Sequence, residues 1–107
     1  LVINIILYIL FHLMEDRVKL AVGETKEIIL DSNPTTGYSW SIIRSDGLEV
    51  VEEFIPDDTN GTVCGAGGKQ HYRLSAKCPG EYEFMAIYRR PWENDAIETF
   101  SLKIDVE

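Results

Sequence analysis

The amino-acid sequence predicts an all-β fold: an antiparallel β-sandwich of about seven to eight short strands. Three observations carry this. Apolar and polar residues alternate with a period of two through most of the chain beyond Arg17, the spacing of a strand with one buried face. Helical periodicity is weak everywhere outside the N-terminal run. Turn-forming residues, among them Gly23-Glu24, Ser45-Asp46-Gly47 and Pro79-Gly80, interrupt the alternation at short intervals.

The elements follow in order. Residues 17–22 alternate and end at Gly23-Glu24. Residues 25–31 form the second run, with Ile28 and Leu30 on one face. The third, 38–44, places Tyr38, Trp40 and Ile42 on one face, with Trp40 the expected core aromatic. The fourth covers 48–55, and a long stretch from Pro56 to Gly68 then carries four glycines and no hydrophobic pattern. The fifth, 69–77, turns Tyr72, Leu74 and Ala76 inward and His71, Arg73, Ser75 and Lys77 outward. The sixth, 81–88, carries Tyr82, Phe84, Ala86 and Tyr88 on its inner face. The seventh, 96–106, carries Phe100, Leu102, Ile104 and Val106. Seven such runs with these turns read as an immunoglobulin-like plan, with a barrel of the same strands as the structural alternative.

Length and charge bound the function. With 107 residues the chain supports one domain with one core. Its formal net charge of −8 argues against a nucleic-acid partner, which needs a basic face, and against docking to an anionic membrane. A monomer is the expectation. Leu1–Leu13 is apolar apart from Asn4 and His12, and is too short for the roughly 20 residues a bilayer span needs. Two readings of residues 1–14 stand side by side. One is the remnant of a secretory signal, which places the protein in a secretory or vesicular route. The other is a mistranslated upstream region, with Met14 as the true start and a cytoplasmic protein as the result. A less favoured third makes Val2–Leu10 an added edge strand. Either leading reading assigns residues 15–107 to the domain.

The two cysteines, Cys64 and Cys78, fall at opposite ends of the fifth run. Nine strand residues at about 3.3 Å each separate them too far for a bridge, which needs Cα atoms within about 7 Å. Two free thiols are expected.

Chemistry is sparse. Cys64 and His71 could be posed as a thiol and its base. But His71 alternates outward beside Tyr72, and no third group is in place to orient it. The Cys and His spacing lacks the paired ligands of a metal site, and no cofactor motif is present. The glycine-rich stretch lacks the Lys-Ser/Thr of a phosphate loop and leads into a strand. The adjacent carboxylates Glu52-Glu53 and Asp57-Asp58 read as solvated charge. An enzyme is therefore not indicated.

Three shaped strings remain. They are Asn33-Pro34-Thr35-Thr36-Gly37-Tyr38, Gly65-Ala66-Gly67-Gly68 and Arg90-Pro91-Trp92, and they occupy the second, fourth and sixth gaps between runs. In an antiparallel succession every second connection falls at the same end, so the three strings should meet there. Pro34 pushes Asn33 to an extended conformation, Gly37 takes a conformation barred to other residues, and Thr35 and Thr36 form the apex. Trp92 follows Pro91 outside any alternating run and is expected to be exposed. A rigid exposed Trp beside Arg90 has the composition of an interface anchor.

In these three strings, in this order, the chain resembles the chagasin-type inhibitors of papain-like cysteine peptidases. The likeness covers residues 17–107, and every signature position is present. The resemblance implies an immunoglobulin-like fold and a reversible, tight inhibitor that is not cleaved. It implies that all thirteen signature residues, Asn33 to Tyr38, Gly65 to Gly68 and Arg90 to Trp92, touch the peptidase cleft. Thr35 and Thr36 would lie over the catalytic cysteine, and the glycine string would run along one flank. Trp92 would lie against enzyme aromatics on the other flank, with Arg90 near enzyme acids. The rival reading is a non-inhibitory immunoglobulin-like binding module.

Overall fold

The structure, a computed structural model, describes residues 16–57 and 67–107. Residues 1–15 and 58–66, and with them the N-terminal readings, Cys64, Gly65 and Ala66, lie outside the described residues. Seven strands follow one another: β1 Arg17–Leu20, β2 Lys26–Ser32, β3 Ser39–Arg44, β4 Glu49–Pro56, β5 Gly68–Ser75, β6 Gly80–Arg89 and β7 Glu98–Val106, with a short 3-10 turn at Pro34–Thr36. They form a four-stranded sheet in the order β1-β7-β6-β3 and a three-stranded sheet in the order β2-β5-β4. This is the sandwich that the alternation predicted.

The inward positions read from the sequence build the core. Tyr72, Leu74, Phe84 and Ile104 are the largest fully buried side chains, joined by Leu20, Ile28, Ala76, Ala86, Leu102 and Val106. The rings of Tyr72 and Phe84 pack at 5.2 Å across the two sheets. Each buried Leu, Ile, Val or Phe among them contributes roughly 1.5–3 kcal/mol through the apolar area it removes from water. Trp40 is partly buried and flanks the core near the start of β3, so the central aromatics are Tyr72 and Phe84.

One pairing departs from the antiparallel plan. β1 lies parallel to β7, with Arg17 opposite Lys103 and Leu20 opposite Val106. Backbone bonds from Lys103 to Asp16 and from Glu107 to Leu20 extend the ladder at both ends. Alternation records which face of a strand is buried. It does not record the direction of a partner some eighty residues away. The first strand is also shorter than expected. The Glu24 amide bonds the Ala21 carbonyl at 3.0 Å, and this turn carries the chain over to the other sheet. Cys78 is a free, exposed thiol.

Registers fix where the loops fall. Ser32 at the end of β2 and Pro56 at the end of β4 both lie opposite Gly68, the first residue of β5. Ser39, which opens β3, lies opposite Arg89, which closes β6.

Candidate functional site

The β2–β3 loop is braced from within. Asn33 is extended, at φ −133° and ψ 84°, as a residue before proline must be. Pro34 then starts the 3-10 turn. The Thr36 amide donates to the Asn33 carbonyl at 3.2 Å, and the Gly37 amide to the Pro34 carbonyl at 3.0 Å. Gly37 closes the turn at φ +86°, in the left-handed region. The apex hydroxyls bend back into the loop: Thr36 Oγ1 donates to the Asn33 carbonyl at 2.7 Å, and Thr35 Oγ1 donates to Asn33 Oδ1.

Beneath this turn stands an aromatic support. The Asn33 amide donates to the Tyr88 hydroxyl at 2.8 Å. The Tyr88 ring packs at 5.4 Å from Tyr38 and 5.0 Å from Trp40. Trp40 Nε1 donates to the Asp31 carbonyl at 2.9 Å. Sequence reading placed Tyr88 among the inward residues of its strand and missed this anchoring role. The available signal was a Tyr, not a Phe, at the last inward position before a loop, since a largely buried hydroxyl needs a partner.

The β6–β7 loop leans on the β2–β3 loop. Its turn closes through the Glu93 amide to the Arg90 carbonyl at 3.1 Å, and Arg89 Nη1 donates to the Glu93 carbonyl at 2.9 Å. Arg90 Nε reaches across to the Thr36 carbonyl at 3.2 Å, and the guanidinium carbon lies 4.4 Å from the centre of the Tyr38 ring. Trp92 is 71% exposed, as the sequence predicted, and one edge of its indole touches Gly37.

The β4–β5 loop is described only at its base. There the Asp57 amide donates to the Gly67 carbonyl at 3.0 Å. A Cβ on Gly67 would approach the Ser32 carbonyl to 3.2 Å and the Asn33 side chain to 3.7 Å. A Cβ on Gly68 would stand 2.5 Å from the Ile55 carbonyl. Both glycines thus have a reason inside the molecule, separate from any close approach to a partner. Lys69 secures this base, bonding Asp31 at 2.8 Å and lying 3.7 Å from Asp57. The Asp31 bond and charge, then Asp57, raise its pKa above the ordinary lysine value.

Eleven of the thirteen predicted residues are therefore described, and the structure brings them to one end in a continuous row. Gly67 and Gly68 lie on one side of the Asn33–Tyr38 turn, and Arg90 to Trp92 lie on the other. The row is a ridge of turns. His71, the candidate base, is elsewhere, on the outer face of β5 with Nδ1 2.9 Å from Glu27 Oε1. That contact and Arg73 hold the Glu27 carboxyl below its ordinary pKa. Among the described residues no three His, Cys, Asp or Glu side chains are grouped to hold a metal ion.

Comparison with known proteins shows the family. The family model described as "Chagasin family peptidase inhibitor I42" matches residues 19–104. Amoebiasin-1 of Entamoeba histolytica is 43% identical over 91 residues, 84% of this chain and 89% of that protein. Chagasin of Trypanosoma cruzi is 36% identical over 80 residues, 68% of this chain and 71% of that protein. The solution structure of amebosin superposes with a TM-score of 0.72 at 42% identity, covering 85% of this chain and 88% of the other. This chain belongs to the chagasin family of peptidase inhibitors, and it is an inhibitor, not an enzyme.

Proposed function

We propose that this protein is a reversible, tight-binding inhibitor of papain-like cysteine peptidases and that it blocks the active-site cleft with the ridge described above. In this reading Asn33 to Tyr38 sit at the centre of the cleft, the Gly65 to Gly68 string on one flank, and Arg90 to Trp92 on the other. The observation that carries the reading is the continuity of the ridge: the central turn touches both neighbouring loops.

The local geometry accounts for inhibition without cleavage. A peptidase acts on an extended peptide held in line with its thiolate. The Pro34–Thr36 segment is a 3-10 turn. The Asn33 and Pro34 carbonyls already accept amides within it. The segment fills the space before the thiolate and offers no peptide bond in an attackable geometry. Affinity follows from preorganisation, because loops already braced lose little freedom on docking. An interface of standard size, on the order of 800 Å² per partner, then suffices.

Protection of the peptidase thiol tests this directly. Papain incubated with an equimolar amount of the chain should react slowly with iodoacetamide. Dissociation should return active enzyme and an uncut chain. Unchanged alkylation of the thiol, with the chain folded, would favour the rival reading of a non-inhibitory binding module.

A further inference from the structure

Arg90 commits two of its five N–H donors and one face of its guanidinium inside the molecule. Nε donates to the Thr36 carbonyl at 3.2 Å, Nη1 meets Glu93 Oε1 at 3.2 Å, and the guanidinium lies 4.4 Å over the Tyr38 ring and 5.9 Å from the Trp92 ring. The resemblance assigned this residue to acidic groups on the enzyme. An arginine serving that purpose would present its planar fork outward. Here one edge of the fork is turned onto the neighbouring loop, its charge is matched by Glu93, and a ring covers it.

We infer that Arg90 is a positioning residue for the inhibitory ridge, and that Glu93 in turn orients Arg90; the inference rests on the inhibitory reading proposed above. The guanidinium acts as a strut between two loops that share no backbone hydrogen bond among those described. At one end it holds the Thr36 carbonyl, at the close of the apex turn. At the other it stands beside Trp92, whose indole edge meets Gly37. The chemistry requires arginine. A planar cation can stack on a ring while donating in its own plane to two acceptors on different sides. A lysine ammonium keeps the charge and loses both the stacking and the fork. Glu93 suits its part, because the turn that contains it is closed by its own amide on the Arg90 carbonyl at 3.1 Å. The carboxylate is thus fixed relative to the residue it orients.

The test compares the full chain with Arg90→Lys and Glu93→Gln, using papain as the probe enzyme. Arg90→Lys keeps the positive charge and removes the stacking and the fork. Arg90→Lys should therefore leave the association rate and its salt dependence nearly unchanged and raise the dissociation rate by roughly 10-fold. Glu93→Gln should act in the same direction by roughly 3-fold, since it loosens the strut without removing it. The second readout needs no enzyme. In the 15N-labelled free chain the indole N–H of Trp92, assigned by its absence from Trp92→Phe, should show a lower heteronuclear NOE in Arg90→Lys than in the parent, reporting faster ps–ns motion. The indole of Trp40 should be unaffected. Overturning results are an unchanged Trp92 NOE in Arg90→Lys, which would make Arg90 a direct contact to the enzyme, or an unchanged dissociation rate. If the parent chain fails to inhibit papain, the inhibitory reading falls, and the NOE measurement still decides the strut.

Discussion

Trp92 lays the edge of its indole on Gly37: a Cβ built on that glycine would stand 2.7 Å from Trp92 Cη2. The contact explains how a side chain 71% exposed can still be held in one place. It also gives Gly37 two independent reasons to be glycine, since its φ of +86° is costly for any other residue. Gly37→Ala should therefore cost roughly 1–2 kcal/mol of stability from the backbone conformation. It should also weaken inhibition by displacing Trp92. Thermal unfolding and a papain inhibition assay on the same preparation separate the two effects. Loss of stability with full inhibition would show that the indole need not rest there.

Trp92 itself contributes little to the fold, because most of its surface faces solvent. As a rigid aromatic anchor it should dominate the flank it occupies. Trp92→Ala is expected to cost about 2 kcal/mol or more of binding, roughly 30-fold in Kd, with the unfolding temperature nearly unchanged. An unfolded variant, or one that inhibits normally, contradicts the anchor role.

The two described glycines of the β4–β5 loop should behave differently. A Cβ on Gly68 would be driven to 2.5 Å from the Ile55 carbonyl, a backbone atom within its own sheet. Gly68→Ala should thus destabilise the fold by ~3 kcal/mol, at the severe end of overpacking. At Gly67 the nearest atom is the Ser32 carbonyl at 3.2 Å, which a small shift relieves. Gly67→Ala should fold well, whereas Gly67→Leu should push the loop away from Asn33 and weaken inhibition by about 10-fold. Normal inhibition by Gly67→Leu would remove close backbone approach from the account.

Most of the fold was legible because burial in a sandwich follows the period-two pattern. Tyr72, Leu74 and Ala76 on one strand, and Phe84 and Ala86 on the next, face inward as the alternation requires. The loop positions were legible for a different reason: Pro34, Gly37 and Pro91 restrict the backbone by themselves. What stayed hidden involves contacts between loops distant in sequence. The hydroxyl of Tyr88 under Asn33, the reach of Arg90 to Thr36 and the parallel pairing of β1 with β7 join residues more than fifty positions apart. No local pattern encodes them.

Tyr72 gives a pH-dependent signature of the core. Burial, with the negative charge of Glu52 beside it, pushes its hydroxyl up to about 12. The unfolded chain ionises this group near 10. The raised folded value means that the stability linked to Tyr72 is fully present below pH 10 and is lost as pH rises through about 12. Tyr72→Phe should flatten that part of the alkaline unfolding curve. A tyrosinate absorbance titration should find one group that ionises only late or with unfolding. Ionisation of all five tyrosines near the ordinary value in the folded chain would contradict the burial of Tyr72.

The central claim is that one end of this sandwich fills a papain-like active site. Titration of active-site-counted papain with the full chain, read as residual hydrolysis of a fluorogenic peptide, tests it most directly. The account predicts a linear fall to complete inhibition at one chain per active site with nanomolar enzyme, and an uncut chain at the end. Undiminished hydrolysis at micromolar concentrations of folded chain would contradict it.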